Sequence, residues 1–400
     1  MEAVINNLAW VKRLLLMAVI SPFILIWGEI FTCMLLPQNQ DPERKIYAAD
    51  PVIGFIYKPY AVDYQKGREY NVVYKINSLG IRDREYGAKS LGIFRVLLVG
   101  DSFSVSHGLP IEESLSRQLE KAIQDSALPD KIPLKIEVVN AAVGGYSPYN
   151  YWRAYQRWAP ILEPDAIVVG LSPDDYDSSN AGLKYDIVDG RSRASFREGE
   201  KITKRRQSGS KSLRTWFRRN SQLYILLRDY VYYNDVVGRL TLWMSAKGEG
   251  RAAQLNKFML PQPESMNEAW GQSFSYLEKL NEQTAADGVT LILVSLPSKL
   301  EIVSEEYQRA LSASGLRQEE IDVNMLLNRV AAFCSAWNIP LLDPRPALRE
   351  RHVEVPCYFV YDGHWNAEGV LVGSEHLARQ WRERGLPPWG KLYERGSAFK

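Results

Sequence analysis

Three short segments, far apart in a chain of 400 residues, carry side chains that could perform acyl chemistry together. The first is Val99-Gly100-Asp101-Ser102-Phe103-Ser104, at the end of an apolar run expected to be a sheet strand. A serine where a buried strand turns lies at the carboxyl edge of a sheet, where open α/β folds place their sites. Gly100 would let the backbone turn tightly, and a following helix would bring amides and the positive end of its dipole to the serine oxygen. The second segment is Val360-Tyr361-Asp362-Gly363-His364-Trp365-Asn366. A serine hydroxyl is a weak nucleophile and needs a base within hydrogen-bond reach. His364 suits that task, and Asp362 is close enough in sequence to fix its tautomer and stabilise the imidazolium. The third is a pair of turns, Gly144-Gly145 and Asp174-Asp175, each after a predicted strand, where backbone amides could face a developing oxyanion. Taken singly, each has a plainer reading as a turn, a helix cap or a packed histidine. Their shared position at strand ends joins them.

The elements that must position them alternate as strand and helix. Apolar runs at 94–99, 135–139, 166–169, 289–294 and 339–342 read as strands of a parallel sheet. Helical periodicity marks 111–126, a helix through Tyr151 and Trp158, 270–286, 319–337 and 366–384. Between the third and fourth strands lies a long insertion, at about 177–266. It holds a basic stretch (191–219) and an aromatic segment (223–243). The first reads as a solvated loop, or else as a patch for an anionic glycan or lipid headgroups. The second reads as a packed helix.

A hydrophobic fraction of 46% and a charged fraction of 24% are those of an ordinary globular chain. A net charge of +2 gives no general argument for nucleic acid, which is not expected as a partner. Cys33, Cys334 and Cys357 make no disulfide framework, and Cys334 and Cys357 read as buried thiols rather than a pair. The four histidines, His107, His352, His364 and His376, form no metal-ligand spacing, so neither metal nor cofactor is expected. A nucleotide enzyme is excluded because no Gly-x-x-x-x-Gly-Lys or Gly-x-Gly-x-x-Gly follows a strand.

Near the N-terminus, 14–36 is almost wholly apolar, with Trp10 and Trp27 about 26 Å apart along a helix. That is close to the thickness of a hydrocarbon core and puts Glu29 at the far interface. Lys12 and Arg13 place the N-terminus in the cytoplasm and the bulk of the chain outside. An uncleaved membrane anchor is expected, since no small-residue cleavage site follows the apolar run.

The combined motifs resemble the SGNH (GDSL-type) hydrolase superfamily. Gly100-Asp101-Ser102-Phe103-Ser104 is similar to its first block, with Ser102 as nucleophile. Asn140-Ala-Ala-Val-Gly-Gly145-Tyr-Ser147 is similar to its second, with Gly145 as oxyanion donor, and Asp362-Gly-His364-Trp-Asn366 to its last. Upstream, Asp50-Pro51-x-x-Gly54 and Asn77-Ser-Leu-Gly80-Ile-Arg82-Asp83 look like the lead-in of membrane-anchored members. The resemblance implies a three-layer, flavodoxin-like parallel sheet with helices on both faces, plus one transmembrane helix. It divides the chain into an anchor (1–40), a lead-in (41–92) and a catalytic domain (93–390). Two positions depart from the pattern. Where the family has a donor asparagine stands Asp174, so either this carboxyl is held neutral, another group substitutes, or the site is slow or inactive. The acid lies two residues before the histidine, a spacing similar to that of the alginate O-acetyltransferase group. The resemblance thus implies an esterase acting on O-acyl esters of an envelope glycan or lipid. Its alternatives are an O-acetyltransferase fed by a membrane-protein partner and an inactive scaffold in a membrane assembly.

Overall fold

Strands with apolar residues on both faces need cover on both sides, and the chain supplies it. The computed structural model describes residues 2–36, 46–126, 134–176, 183–188, 191–197, 216–217, 220–233 and 255–388. By compactness the chain divides into two units, Met1–Arg44 with Thr203–Leu242, and Lys45–Ile202 with Trp243–Lys400.

The first unit holds helix α1 (Glu2–Leu35), whose stretch Leu16–Leu35, with a mean hydropathy of 1.9, is long and apolar enough to cross a membrane.

The second unit begins with two antiparallel hairpins, β1 (Tyr47–Asp50) with β2 (Gly54–Tyr57), and β3 (Val62–Lys66) with β4 (Asn71–Lys75). The alternating elements follow: β5 (Ile93–Gly100), α2 (Leu115–Asp125), β6 (Lys135–Asn140), α3 (Pro148–Leu162) and β7 (Ala166–Leu171). In the insertion, β8 (Leu183–Val188) pairs with β9 (Arg191–Arg197). The first unit then supplies α4 (Gln222–Tyr233). The second unit resumes with α5 (Glu264–Ala286), β10 (Thr290–Ser295), α6 (Ser304–Ser314), α7 (Met325–Ala336), β11 (Leu341–Leu342), α8 (Arg345–Glu354) and α9 (Ala367–Glu383). Most of the basic stretch 191–219, and the end of the aromatic segment 223–243, lie outside the described residues.

Strands β11-β10-β7-β5-β6 form one parallel sheet in that order. The chain enters at β5, steps outward to β6, then returns past β5 to β7. The reversal point between β5 and β7 is where doubly wound folds open a crevice at their strand ends. Side chains alternate accordingly. Leu97 and Val99 of β5 join a core with α3, α5 and α7, while Val96 and Leu98 join one with α2, α8 and α9. Each such buried aliphatic side chain contributes about 2 kcal/mol of apolar transfer energy, so the sheet is fixed from both faces.

The expected strands are present, and the differences lie at their borders. The helix expected from 111 begins at Leu115, because Ser114 accepts from the Arg117 amide as its N-cap and Ile111–Glu113 forms a separate 3₁₀ turn. The helix expected from 319 begins at Met325, since Ile321 bridges to Met259 instead. Strand β11 is shortened because Pro340 has no amide to give the ladder. Cys334 and Cys357 are buried and unpaired.

Candidate active site

Gly100 ends β5 under steric compulsion: a Cβ there would lie 1.9 Å from Ser104 Oγ and 3.0 Å from the Gly170 carbonyl. Residues 101–108 then form successive turns, in which the Ser102 carbonyl accepts from the His107 amide at 3.0 Å. The helix expected to start beside the serine is absent there, as α2 begins only at Leu115. Local turn amides take the place of a helix end. The turn is held from within by Asp101, whose carboxylate accepts from Phe103 N–H at 2.9 Å and Ser172 Oγ at 2.6 Å. Burial pushes Asp101 up to about 6, against the hydrogen bond from Ser172.

Arg82 holds the same turn from outside. Its guanidinium is buried, lies 3.6 Å from the Tyr74 ring centroid and donates to the carbonyls of Val105 (2.6 Å), Ser106 (3.4 Å) and Leu109. Its neighbour Asp83 accepts from the Asn140 amide at 2.9 Å at the end of β6. The lead-in motif therefore braces the strand ends that carry Ser102 and Gly145.

The second segment arrives on a loop fixed at both ends. The Trp365 indole and the Tyr358 hydroxyl both donate to the Pro297 carbonyl, each at 3.0 Å, and Asn366 caps α9. In the loop's middle the Glu69 carboxylate accepts from the amides of Val360 (2.6 Å), Tyr361 (2.7 Å) and Asp362 (3.4 Å). His364 Nε2 consequently lies 2.8 Å from Ser102 Oγ, and His364 Nδ1 is hydrogen-bonded to Asp362 Oδ1. With Nδ1–H donating to the carboxylate, Nε2 is left as the acceptor for the serine proton.

A second histidine stands beside the first. The Tyr70 hydroxyl donates to Asp362 Oδ2 at 3.1 Å and lies 2.9 Å from His107 Nε2. Since the hydroxyl has one proton, His107 Nε2 carries its own and donates to the Tyr70 oxygen. The His107 and His364 rings are 5.2 Å apart, and Phe103 covers His364 at 4.6 Å. Burial opposes the charge of Asp362, but the hydrogen bond and charge of His364, with His107 and Tyr70, bring it down to about 2. Burial likewise opposes an imidazolium at His364, yet the bond to Asp362 and the charges of Asp362, Asp101 and Asp174 raise it above the ordinary value of 6.5.

The candidate oxyanion groups divide. Gly145 has φ +87°, a conformation that favours glycine, and among the described residues no group accepts from its amide or from that of Ser102. A Cβ on Gly144 would be 3.8 Å from Ser102 Cβ, which puts this turn beside the nucleophile, and the Gly144 amide donates to the Tyr57 hydroxyl. Asp174 is different. Its carboxylate is exposed and ion-paired with the Lys257 ammonium, so it is engaged as an acceptor. Asp175 is buried, accepts from the Ser172 amide at 2.8 Å and from the Tyr151 hydroxyl, and braces the end of β7.

Sequence reasoning missed Glu69, Tyr70, His107 and Lys257. His107, five residues past Ser102, was the one with a signal in its spacing. The others are joined to the site by the fold alone.

Residues 256–396, which include Lys257, Asp362 and His364, match a family described as "SGNH hydrolase-like domain, acetyltransferase AlgX". The match covers about a third of the chain and includes Asp362 and His364 but not Ser102. The second unit is an α/β fold with a five-stranded parallel sheet flanked by helices. Among solved structures, a catalytic mutant of an acetylxylan esterase from Geobacillus stearothermophilus is similar at 13% identity and TM-score 0.37, over 73% of this chain and 94% of that one. A lipase/acylhydrolase from Enterococcus faecalis is similar at 12% identity and TM-score 0.36, over 73% of this chain and 96% of that one. Scores this low say nothing about substrate. No curated protein matches the chain in sequence.

Two outcomes follow from this geometry. With p-nitrophenyl acetate as reporter, the acid limb of kcat/KM should fall above pH 6.5, because His364 must lose its proton to act and its pKa is raised. Asp362→Asn should move that limb down and lower the plateau; an unmoved limb would refute the pairing. Arg82→Ala, which strips buried carbonyls of their donor at about 1–3 kcal/mol, should lower kcat by roughly tenfold or more, with a smaller change in KM.

Proposed function

We propose that the second unit is an SGNH-type serine esterase acting on O-acyl, chiefly O-acetyl, esters of an envelope glycan or lipid. The observation that carries this reading is the 2.8 Å contact between Ser102 Oγ and His364 Nε2, backed by Asp362.

In the proposed reaction, Ser102 Oγ attacks the ester carbonyl while its proton passes to His364 Nε2. The imidazolium is held by the ionised Asp362. Negative charge gathers on the former carbonyl oxygen, facing the amides of Ser102 and Gly145, where one donor typically lowers the barrier by about 3 kcal/mol. Collapse of this intermediate expels the alcohol, which takes its proton from His364 and leaves an acyl ester on Ser102. Water then gives a proton to His364, attacks the acyl carbon, and releases the acid as Ser102 recovers its proton. If a sugar hydroxyl replaces water, the same steps transfer the acyl group. This second reading is favoured by the match to an acetyltransferase family. No step requires a cofactor or metal.

Asp174 enters this reading through Lys257. The ammonium is paired with Asp174 and neutralises a charge that would otherwise oppose the oxyanion. For location, helix α1 is read as an anchor that holds the domain on the extracytoplasmic side, against acylated glycan or lipid. A membrane-protein partner supplying the acyl group belongs to the transferase reading.

A fluorophosphonate probe should label the wild-type chain and leave Ser102→Ala unlabelled; equal labelling, or none in either, would contradict the proposal. Lys257→Ala should reduce kcat/KM roughly tenfold, equivalent to about 1.4 kcal/mol. Asp174→Asn should leave activity equal or higher, and the double variant should recover most of the loss. A double variant no better than Lys257→Ala alone would show that Lys257 acts without regard to Asp174.

A further inference from the structure

Glu29 sits six residues before the end of α1, within its apolar stretch. Its carboxylate accepts from Ser221 Oγ at 2.7 Å and from the amides of Gln222 (2.5 Å) and Leu223 (3.1 Å). These are the first groups of α4, whose leading amides have no partner within their own helix. Glu29 thus caps a helix almost two hundred residues away in sequence, and its charge lies at the positive end of that helix's dipole. The contact is close: a Cβ on Gly28 would meet Leu223 Cδ2 at 2.9 Å. Compactness joins Thr203–Leu242 to Met1–Arg44 as one unit.

Around this capped end the apolar surface is open. Trp216 is 58% exposed, Leu227 53% and Tyr230 64%. Leu227 and Tyr230 share a helix face. Trp216, Phe217 and Tyr224 form a run of ring contacts at 5.1 and 5.8 Å. The sequence from 201 to 219 contains lysines and arginines and no acidic residue. Exposed aromatic and aliphatic side chains beside Glu29, the one carboxylate within the apolar stretch Leu16–Leu35, next in sequence to a basic run, match the boundary between hydrocarbon and anionic headgroups.

We infer that α4, with Trp216 and Phe217 before it, forms a second membrane attachment, an interfacial helix docked on α1 through Glu29 and seated in the outer lipid boundary. This rests on the reading of α1 as an anchor and extends it, because a helix destined for removal has no part in capping a downstream one. The mature protein retains α1, and the insertion returns the chain to the bilayer beside it.

The test uses the full chain, with a specific protease site placed within 37–44, in phosphatidylcholine vesicles containing phosphatidylglycerol. Intact mass is read first: a chain beginning at Met1 is expected, and one lacking α1 overturns both the anchor reading and this inference. After cleavage, the large fragment should still float with the vesicles. Its release, with α1 retained in the uncut chain, overturns the inference alone. Leu227→Asp/Tyr230→Asp should float before cleavage, label with the fluorophosphonate probe as wild type does, and lose its large fragment to the supernatant after cleavage. Retention of that fragment by the double variant would show that lipid is not the occupant. Omitting phosphatidylglycerol should weaken wild-type retention at least severalfold, and unchanged retention would remove the basic stretch from the account.

Discussion

The hydrogen bond from Ser102 to His364 crosses 262 positions of sequence, and nearly every local feature of the second unit serves to keep it at 2.8 Å. A serine hydroxyl and an imidazole gain little from one another in water, where solvent competes for both. Their alignment has to be enforced. Gly100 and Asp101 shape the turn under the serine, while Glu69, Trp365 and Tyr358 fix the loop under the histidine. The parallel sheet sets the distance between the two, because β5 ends at its reversal point.

The lead-in segment acquires a physical purpose in this light. Arg82 ties down the Ser102 turn, Asp83 the end of β6, and Glu69 with Tyr70 the loop of Asp362 and His364. Both segments of the proposed triad are braced by residues between 69 and 83, although neither comes from that region. The bracing also shapes electrostatics. Asp362 accepts from His364 and Tyr70 together, which keeps it ionised and raises the basicity of the imidazole. Lys257 balances Asp174 at the site's edge. The charges of Asp362, Asp101 and Asp174 all act on one imidazole, and Asp174 carries its own counter-charge in Lys257.

Much of this was legible from residue types alone. Ser102 and Gly145 lie in turns after β5 and β6, as the apolar runs indicated, whereas Asp362 and His364 sit on a loop between α8 and α9 rather than at the strand end expected for them. Asp174 was legible as an anomaly, but its partner was not, since Lys257 is one of several lysines in an insertion with no periodic signal. Glu69 and Tyr70 escaped because they act through backbone amides and a shared carboxylate, contacts that leave no pattern in a sequence. The serine's environment was misjudged for a related reason. Ser114 caps α2, so that helix starts only at Leu115, and a run of turns stands beside the serine where a helix was expected. The capping of α4 by Glu29 was equally hidden: the carboxylate signalled an interface, and only the fold supplied its partner.

The central claim is that Ser102 carries the acyl group and His364 makes it able to. Brief incubation with p-nitrophenyl acetate, acid quenching and peptide mass mapping measure this directly. The account predicts an added acetyl group on the peptide containing Ser102 in the wild-type chain, and a loss of nearly all of it in His364→Ala. An acetyl group found on another residue, or equal acetylation of Ser102 without the histidine, would contradict it.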